Sequence, residues 1–312
     1  MSTMIAVAAA ATAPSVSARP ARACAGYTRD GNTGRRLAMK LASKTLRVPN
    51  AARWRAPTQR MGETRRRLST RASSKPGTPP PPSEEAFAPW TDPGRMALAA
   101  GWVGLGSAAA IVAPQGTSGF DMELITTLIS APFSGAANPI FEALFNSLGV
   151  VPAVYAALLL PGAKDQPRLP AVPPIAASFA LGFFALGPYL FLREPREGPV
   201  ARSSLGWATR TVFESKPFAL FNAGFALFLT GYAATHWSAD ALTGFVQLWT
   251  EQSALCCVSS CDLLVLSLAM YGALSEDMKR RGVFEPAKAA AFCALPVVGP
   301  TLWLVTRPAL EE

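Results

Sequence analysis

Residues 255–308 read LCCVSSCDLLVLSLAMYGALSEDMKRRGVFEPAKAAAFCALPVVGPTLWLVTRP. An apolar segment is followed by a charged turn and then by a second apolar segment. The same outline occurs 112 positions earlier in the chain, without a gap. Eight residues are identical at that offset: Asp165 and Asp277, Arg168 and Arg280, Pro174 and Pro286, Ala177 and Ala289, Gly187 and Gly299, Pro188 and Pro300, Leu190 and Leu302, Leu192 and Leu304. We interpret the pattern as an internal duplication.

The net charge of +9 is concentrated near the N-terminus. Residues 1–75 contain sixteen Lys and Arg but only Asp30 and Glu63 as acids, a net charge of +14. Residues 76–312 contain 13 basic and 18 acidic residues, a net charge of −5. The basicity therefore belongs to a leader, and the rest of the chain gives no reason to expect a nucleic-acid partner.

The leader is rich in Ala, Ser, Thr and Arg and has no continuous apolar run, which is typical of an organellar transit peptide. Residues 1–17 contain no Arg, which favours a chloroplast over a mitochondrion. We predict a transit peptide over 1–75, a proline-rich linker over 76–94 and a membrane domain over 95–312. The linker contains four consecutive prolines from Pro79 to Pro82, which disfavour a helix.

Six apolar segments, most of them 18 to 23 residues long, follow the linker. A helix needs about 20 apolar residues to cross the hydrocarbon core, so the fold class predicted is all-α, a polytopic membrane helix bundle with five or six transmembrane helices. No soluble catalytic domain is attached. The segments are 96–113, 138–160, 171–192, 218–236, 253–274 and 287–306.

Lys and Arg do not choose between five and six crossings. With six, the basic loops lie on both sides of the membrane. If 96–113 lies on the membrane surface, five segments cross, and the basic loops share one side with the N-terminus. Three crossings separate the two copies of the duplication in either case, which predicts an inverted repeat such as many secondary transporters have.

Asp262 and Glu142 are the carboxylates that fall inside apolar segments. A carboxylate within a bilayer must pair, protonate or face water, so Asp262 is a functional candidate, with a polar contact to a neighbouring helix as the simpler alternative. Glu142 and Asn146 share a helix face and could ligate magnesium or a chlorophyll. The light-harvesting signature would add an arginine where this chain has Leu148.

The turn over 276–281 contains Asp277, Arg280 and Arg281 and is expected to be a solvated loop at the lipid headgroups. Its basic half could instead bind an acidic partner or an anionic lipid. His236 is the only histidine and is expected at the membrane interface, beside Trp237. The cysteines show no CxxC spacing, so packing is favoured over a metal site, and no cofactor is implied.

Several runs resemble a family of uncharacterised multi-spanning membrane proteins of cyanobacteria and chloroplasts. They are Phe145-Asn146-Ser147-Leu148-Gly149, Cys261-Asp262-Leu263-Leu264 and Asp277-Met278-Lys279-Arg280-Arg281. The resemblance covers about 120–310 and implies a multi-pass chloroplast protein, more often of the thylakoid than of the inner envelope. It implies no activity.

The function predicted is a non-enzymatic thylakoid protein that helps to assemble or stabilise a photosynthetic complex, in contact with the lipid bilayer. A carrier for a small solute or ion is the alternative, which the inverted repeat and Asp262 would support. The residues expected to carry function or partner contacts are Asp262, Glu142, Asn146, Asp277, Arg280 and Arg281.

Overall fold

The computed structural model describes residues 89–312, apart from 118 and 164–168. The transit peptide predicted over 1–75 and most of the linker lie outside these residues. The described chain is all-α, as predicted, and contains no strand. Its α-helices are α1 (Pro93–Ser107), α2 (Phe120–Ser130), α3 (Pro139–Leu159), α4 (Val172–Leu181), α5 (Phe183–Leu192), α6 (Lys216–Thr235), α7 (Ala239–Gln247), α8 (Ala254–Arg280), α9 (Pro286–Cys293) and α10 (Val298–Thr306).

Four of the helices are long and apolar enough to cross a membrane. They are α1 with its continuation to Val112, α3 with its continuation to Gly162, α6 and α8. Serine or asparagine side chains cap α3, α6 and α8 at their N-termini, which satisfies backbone N–H groups that the helix leaves free. The chain is therefore a multi-pass membrane protein with four candidate spans, fewer than the five or six expected.

The third apolar segment does not cross the bundle. It breaks at Gly182 into α4 and α5, and these two helices pack against each other. Gly162, which follows α3, and Arg193, which follows α5, both lie beside Glu276. The segment therefore begins and ends at the same end of the bundle, and α4 and α5 form a re-entrant hairpin.

The sixth segment forms a second re-entrant hairpin from α9 and α10. The Nζ of Lys288, near the start of α9, lies 5.6 Å from the ring of Trp303, near the end of α10. At the tip, a Cβ on Gly299 would lie 2.7 Å from the carbonyl carbon of Phe292. Glycine is needed there because the two backbones approach so closely.

The two hairpins enter from the end of the bundle where α3, α5, α8 and α10 finish, which we call the basic end. Each copy of the duplication thus contributes two crossings rather than three, and the second copy has the same direction as the first. The packing of the helices repeats accordingly. Within the first copy α1 packs on α5, and within the second copy α6 packs on α10. Between the copies, α3 packs on α6, and α8 packs on α1. The observed repeat is parallel, in contrast to the inverted one expected.

The two copies meet along α3 and α8, which run in the same direction at the centre of the bundle. The hydroxyl of Tyr155 donates to the carbonyl of Leu266 at 2.7 Å, and both residues are fully buried. At the opposite end, α2 and α7 join the copies. Asp121 of α2 accepts a hydrogen bond from Ser253 at 2.6 Å, and Asn138 donates to the carbonyl of Ala241 at 2.8 Å.

All eleven described Lys and Arg residues lie at the basic end or on the segments that lead from it. The opposite end, which we call the acidic end, has Asp121, Glu123, Asp240 and Glu251 and no described Lys or Arg. The conflict between Lys and Arg positions and topology disappears once the third and sixth segments turn back. Because basic residues accumulate on the side from which a membrane protein is inserted, the basic end is expected to face that side.

Candidate functional site

Asp262 lies in α8 at the tip of the first hairpin. Its side chain is buried, and Oδ1 accepts a hydrogen bond of 2.7 Å from the backbone N–H of Phe183, the first residue of α5. The N-terminus of a helix carries partial positive charge, so a carboxylate there is stabilised. Asp262 therefore caps α5 from a neighbouring helix and attaches the hairpin tip to the central pair of helices.

Gly182 makes this approach possible. Its backbone has φ 53° and ψ −132°, a conformation that residues with a Cβ rarely adopt. A Cβ at this position would lie 2.6 Å from Oδ1 of Asp262 and closer still to Oδ2. The sequence therefore places a glycine where the chain must turn sharply against a carboxylate.

The second hairpin has no carboxylate at the equivalent place. Val150, the counterpart of Asp262 in the first copy, is buried in the apolar core. The chain turns at Val297, whose φ is 63°, and Gly299 packs directly on the backbone of Phe292. The duplication repeats the hairpin but not its polar anchor.

Glu276 forms the first half of a buried ion-pair network at the basic end. It pairs with Arg193, which follows α5, and with Arg280 at 2.9 Å. Arg280 also donates to the carbonyl of Leu158 near the end of α3. Glu276 thus connects the first hairpin to both central helices.

Asp277 forms the second half of the network and is completely buried. It accepts hydrogen bonds from Arg281 at 3.0 Å and from Nε1 of Trp303 at 2.9 Å, and it lies 3.5 Å from Arg307. Arg281 and Arg307 both pair with Glu214, which precedes α6. The second hairpin, α8 and the start of α6 are joined through these groups.

The solvated turn expected over 276–281 is instead the last part of α8, and its charges point into the protein. Burial alone would lower the pKa of Arg281, but the carboxylates of Asp277 and Glu214 raise it above the usual value. Burial lowers the pKa of Arg307 despite the neighbouring Asp277. Three carboxylates and four guanidinium groups share the network, so losing one carboxylate leaves buried positive charges without a partner.

Glu142 occupies a comparable buried position at the acidic end. Its carboxylate accepts hydrogen bonds from the hydroxyl of Tyr232 at 2.6 Å and from the backbone N–H groups of Gly135 and Ala137, each at 3.2 Å. The Asn146 amide donates to the Glu142 backbone carbonyl at 2.8 Å. The two side chains therefore do not converge as a pair of ligands: Glu142 orders the loop before α3, and Asn146 bonds within its own helix.

In the described part of the chain, no three His, Cys, Asp or Glu side chains come together as metal ligands would. Cys256, Cys257, Cys261 and Cys293 are free thiols. The roles predicted for the six candidate residues as partner contacts stay predictions. What the structure adds is that all six of them bind groups of the same chain.

The sequence reasoning gave no site role to five residues that contact the candidate residues or the ion-pair network around them: Gly182, Arg193, Glu214, Arg307 and Tyr232. A signal existed for two of them, since Arg193 and Arg307 each directly follow an apolar segment and are 114 positions apart, close to the repeat offset. Comparisons with protein families, with characterised proteins and with solved structures find no match to this chain.

Proposed function

We propose that this is a non-enzymatic thylakoid membrane protein that helps to assemble or stabilise a photosynthetic complex. The observation that carries the proposal is the use of the buried ionisable groups. Asp262, Glu142, Glu276 and Asp277 each bind backbone or side-chain groups of another part of the fold. Groups used in this way stabilise one arrangement of helices, which suits a scaffold better than a catalyst.

The location has separate support. The leader has the composition of a chloroplast transit peptide. A protein that enters the thylakoid from the stroma would keep its basic end on the stromal side, and all described Lys and Arg lie at one end. The residues around the ion-pair network, such as the half-exposed Lys279 and Glu197, would then face stromal partners.

Deletion of the gene, followed by native gels of solubilised thylakoids, tests the proposal. We expect one photosynthetic complex to fall in abundance and to recover when the wild-type gene is returned. Asp277→Asn should fail to restore it, whereas Glu251→Gln, which changes an exposed carboxylate at the acidic end, should restore it. Normal abundance of every complex in the deletion strain would contradict the proposal.

A carrier for a small solute or ion is the second candidate. Two re-entrant hairpins and a carboxylate inside the bundle favour it, because transporters build sites from discontinuous helices. The parallel repeat removes the argument from inversion. Purified protein in liposomes should show flux that Asp262→Asn abolishes if this candidate is correct, and no flux under any ion or metabolite gradient if it is not.

A further inference from the structure

A cleft at the basic end is lined by two arginines that the ion-pair network does not use. Its volume is about 470 Å³, within the range of about 300–1,000 Å³ that is usual for small-molecule sites. All six lining residues carry polar or charged side chains, which favours a charged ligand. We call it the arginine cleft, and its lining residues are Arg202, Ser203, Arg210, Thr211, Ser215 and Glu312.

Both arginines of the cleft are available to a ligand. Arg210 is exposed, and within the described part of the chain no carboxylate pairs with it. Arg202 has one pair in the cleft, at 3.3 Å from Glu312, whose side chain is 86% exposed. An exposed pair of this kind contributes little to stability, so Arg202 can exchange Glu312 for another anion. Two guanidinium groups can therefore bind the same oxyanion.

The hydroxyl groups of the cleft are not equivalent. Thr211 and Ser215 each donate at 2.7 Å to a backbone carbonyl, those of Trp207 and Val212. The hydroxyl of Ser203 has no hydrogen bond among the described residues, so it can donate to a ligand. Two guanidinium groups and a hydroxyl donor suit a phosphate group, because the planar fork of arginine binds two phosphate oxygens at once.

The arginine cleft lies at the depth where a membrane span begins. Ser215, in its lining, caps the N-terminus of α6. Leu220 and Phe221, about 8 Å further along α6, are 58% and 71% exposed. Trp207, one helical turn before Arg210, is 72% exposed, and tryptophan is enriched at the level of the lipid headgroups. A ligand in the cleft can therefore extend into the bilayer.

We propose that the arginine cleft binds the phosphate group of an anionic phospholipid, with Arg202 and Arg210 on the phosphate oxygens and the acyl chains in the bilayer beside α6. Basic pockets beside membrane helices bind lipid headgroups in this way. Arg280 and Arg281 are buried against carboxylates, so the lipid contact moves from the turn over 276–281 to the segment before α6. Lipid binding requires no role in assembly, so this proposal and the proposed function fail separately.

Native mass spectrometry of the purified full-length chain in a neutral detergent tests the cleft. Phosphatidylglycerol and phosphatidylcholine are titrated separately; both carry a phosphate, but only the first has a net negative charge. We expect phosphatidylglycerol to bind about tenfold more tightly. An equimolar amount of inorganic phosphate should not displace it, because the acyl chains contribute to binding.

Variants then assign the site, because residues 1–75 with their net charge of +14 also attract anionic lipid. Arg202→Gln with Arg210→Gln should weaken phosphatidylglycerol binding about tenfold or more. The matched control is Lys279→Gln with Lys288→Gln, which removes two positive charges from the same end but outside the cleft and should change binding little. Glu312→Gln should strengthen binding, since it removes the anion that competes for Arg202.

The proposal is overturned if phosphatidylcholine binds as tightly as phosphatidylglycerol, or if the double arginine variant loses no more affinity than the double lysine variant. Weaker binding by Glu312→Gln would also contradict it. Displacement of the lipid by equimolar inorganic phosphate would show that the cleft binds free phosphate and not a lipid. Helical circular dichroism of each variant checks that the fold is retained, as expected for changes of exposed or half-exposed side chains.

Discussion

Replacing Gly182 with alanine should destabilise the protein far more than a Gly-to-Ala change at a helix position where a Cβ has open space, such as Gly224. At φ 53° and ψ −132° a residue with a Cβ is strained by about 1–3 kcal/mol. The new Cβ would also lie within 2.6 Å of the Asp262 carboxylate. Displacing that carboxylate loses its hydrogen bond to Phe183 and leaves buried polar groups unsatisfied, at a cost of about 1–3 kcal/mol. The sum is about 2–6 kcal/mol.

The measurement is unfolding of the purified protein in mixed micelles with sodium dodecyl sulfate, followed by helical circular dichroism. Gly224→Ala is the control, since a Cβ there has no neighbour within 4 Å, and alanine should stabilise the helix by about 0.5–1 kcal/mol. The nearest atoms to the new Cβ at Gly182 all belong to Asp262. Gly182→Ala combined with Asp262→Ala should therefore be less destabilised than the sum of the two single changes, by about 1 kcal/mol or more. Equal stability of Gly182→Ala and Gly224→Ala would refute the placement of the hairpin tip against α8.

Three further predictions concern the two ends of the bundle. Asp277→Asn leaves buried arginines unpaired and should lower the unfolding free energy by about 3–5 kcal/mol. Lys279→Ala breaks a partly exposed pair and should change the unfolding free energy by about 1 kcal/mol or less. Similar losses for the two variants in the same micelle assay would contradict the burial of the network. Tyr232→Phe removes one hydrogen bond from a buried carboxylate and should lower stability by about 1–3 kcal/mol, and an unchanged unfolding midpoint would argue against that bond. On a background without native cysteines, Ser204→Cys and Asp240→Cys should react with a membrane-impermeant maleimide from opposite sides of sealed vesicles; labelling of both from one side would refute the topology.

Hydropathy predicted the helices but not their directions. Residues 171–192 and 287–306 have the length and composition of crossing helices, and apolar content is the same whether a segment crosses or turns back. The turns depend on single residues, Gly182 and Val297, whose effect comes from φ rather than from hydrophobicity. Periodicity therefore located these segments and could not show that they return.

The distribution of Lys and Arg along the sequence indicates which apolar segments cross the membrane and which turn back. Between 96 and 163, and again between 217 and 278, the chain has no Lys or Arg. If each of these stretches crosses the membrane twice and the apolar segment after it returns, every basic residue of the domain lies on one side. An assignment that satisfies the positive-inside rule throughout is stronger than one that divides the charges, and it selects the parallel repeat.

The local sequence also predicts that residues 276–281 continue the helix and do not form a loop. Glu276 with Arg280, and Asp277 with Arg281, are acid-base pairs at i, i+4, the spacing and order that stabilise a continuing helix. Their partners Arg193, Glu214 and Arg307 come from distant parts of the chain. The helix could be read from the sequence, but the burial of its charges depends on tertiary contacts that no local pattern specifies.

The two hairpins share a frame and differ in what holds their tips. The first is attached at its tip by one side-chain acceptor, Asp262, to the first N–H of α5. In the second, Gly299 packs on Phe292 within the hairpin itself, and the hairpin is attached to α8 at its base, where Trp303 donates to Asp277 and Arg307 lies 3.5 Å from the same carboxylate. A single side chain can be removed or neutralised without changing the backbone, whereas the base of the second hairpin is held by several groups of the ion-pair network. Any functional movement in this fold is therefore expected in the first hairpin, with the second hairpin and the ion-pair network as the fixed part of the bundle.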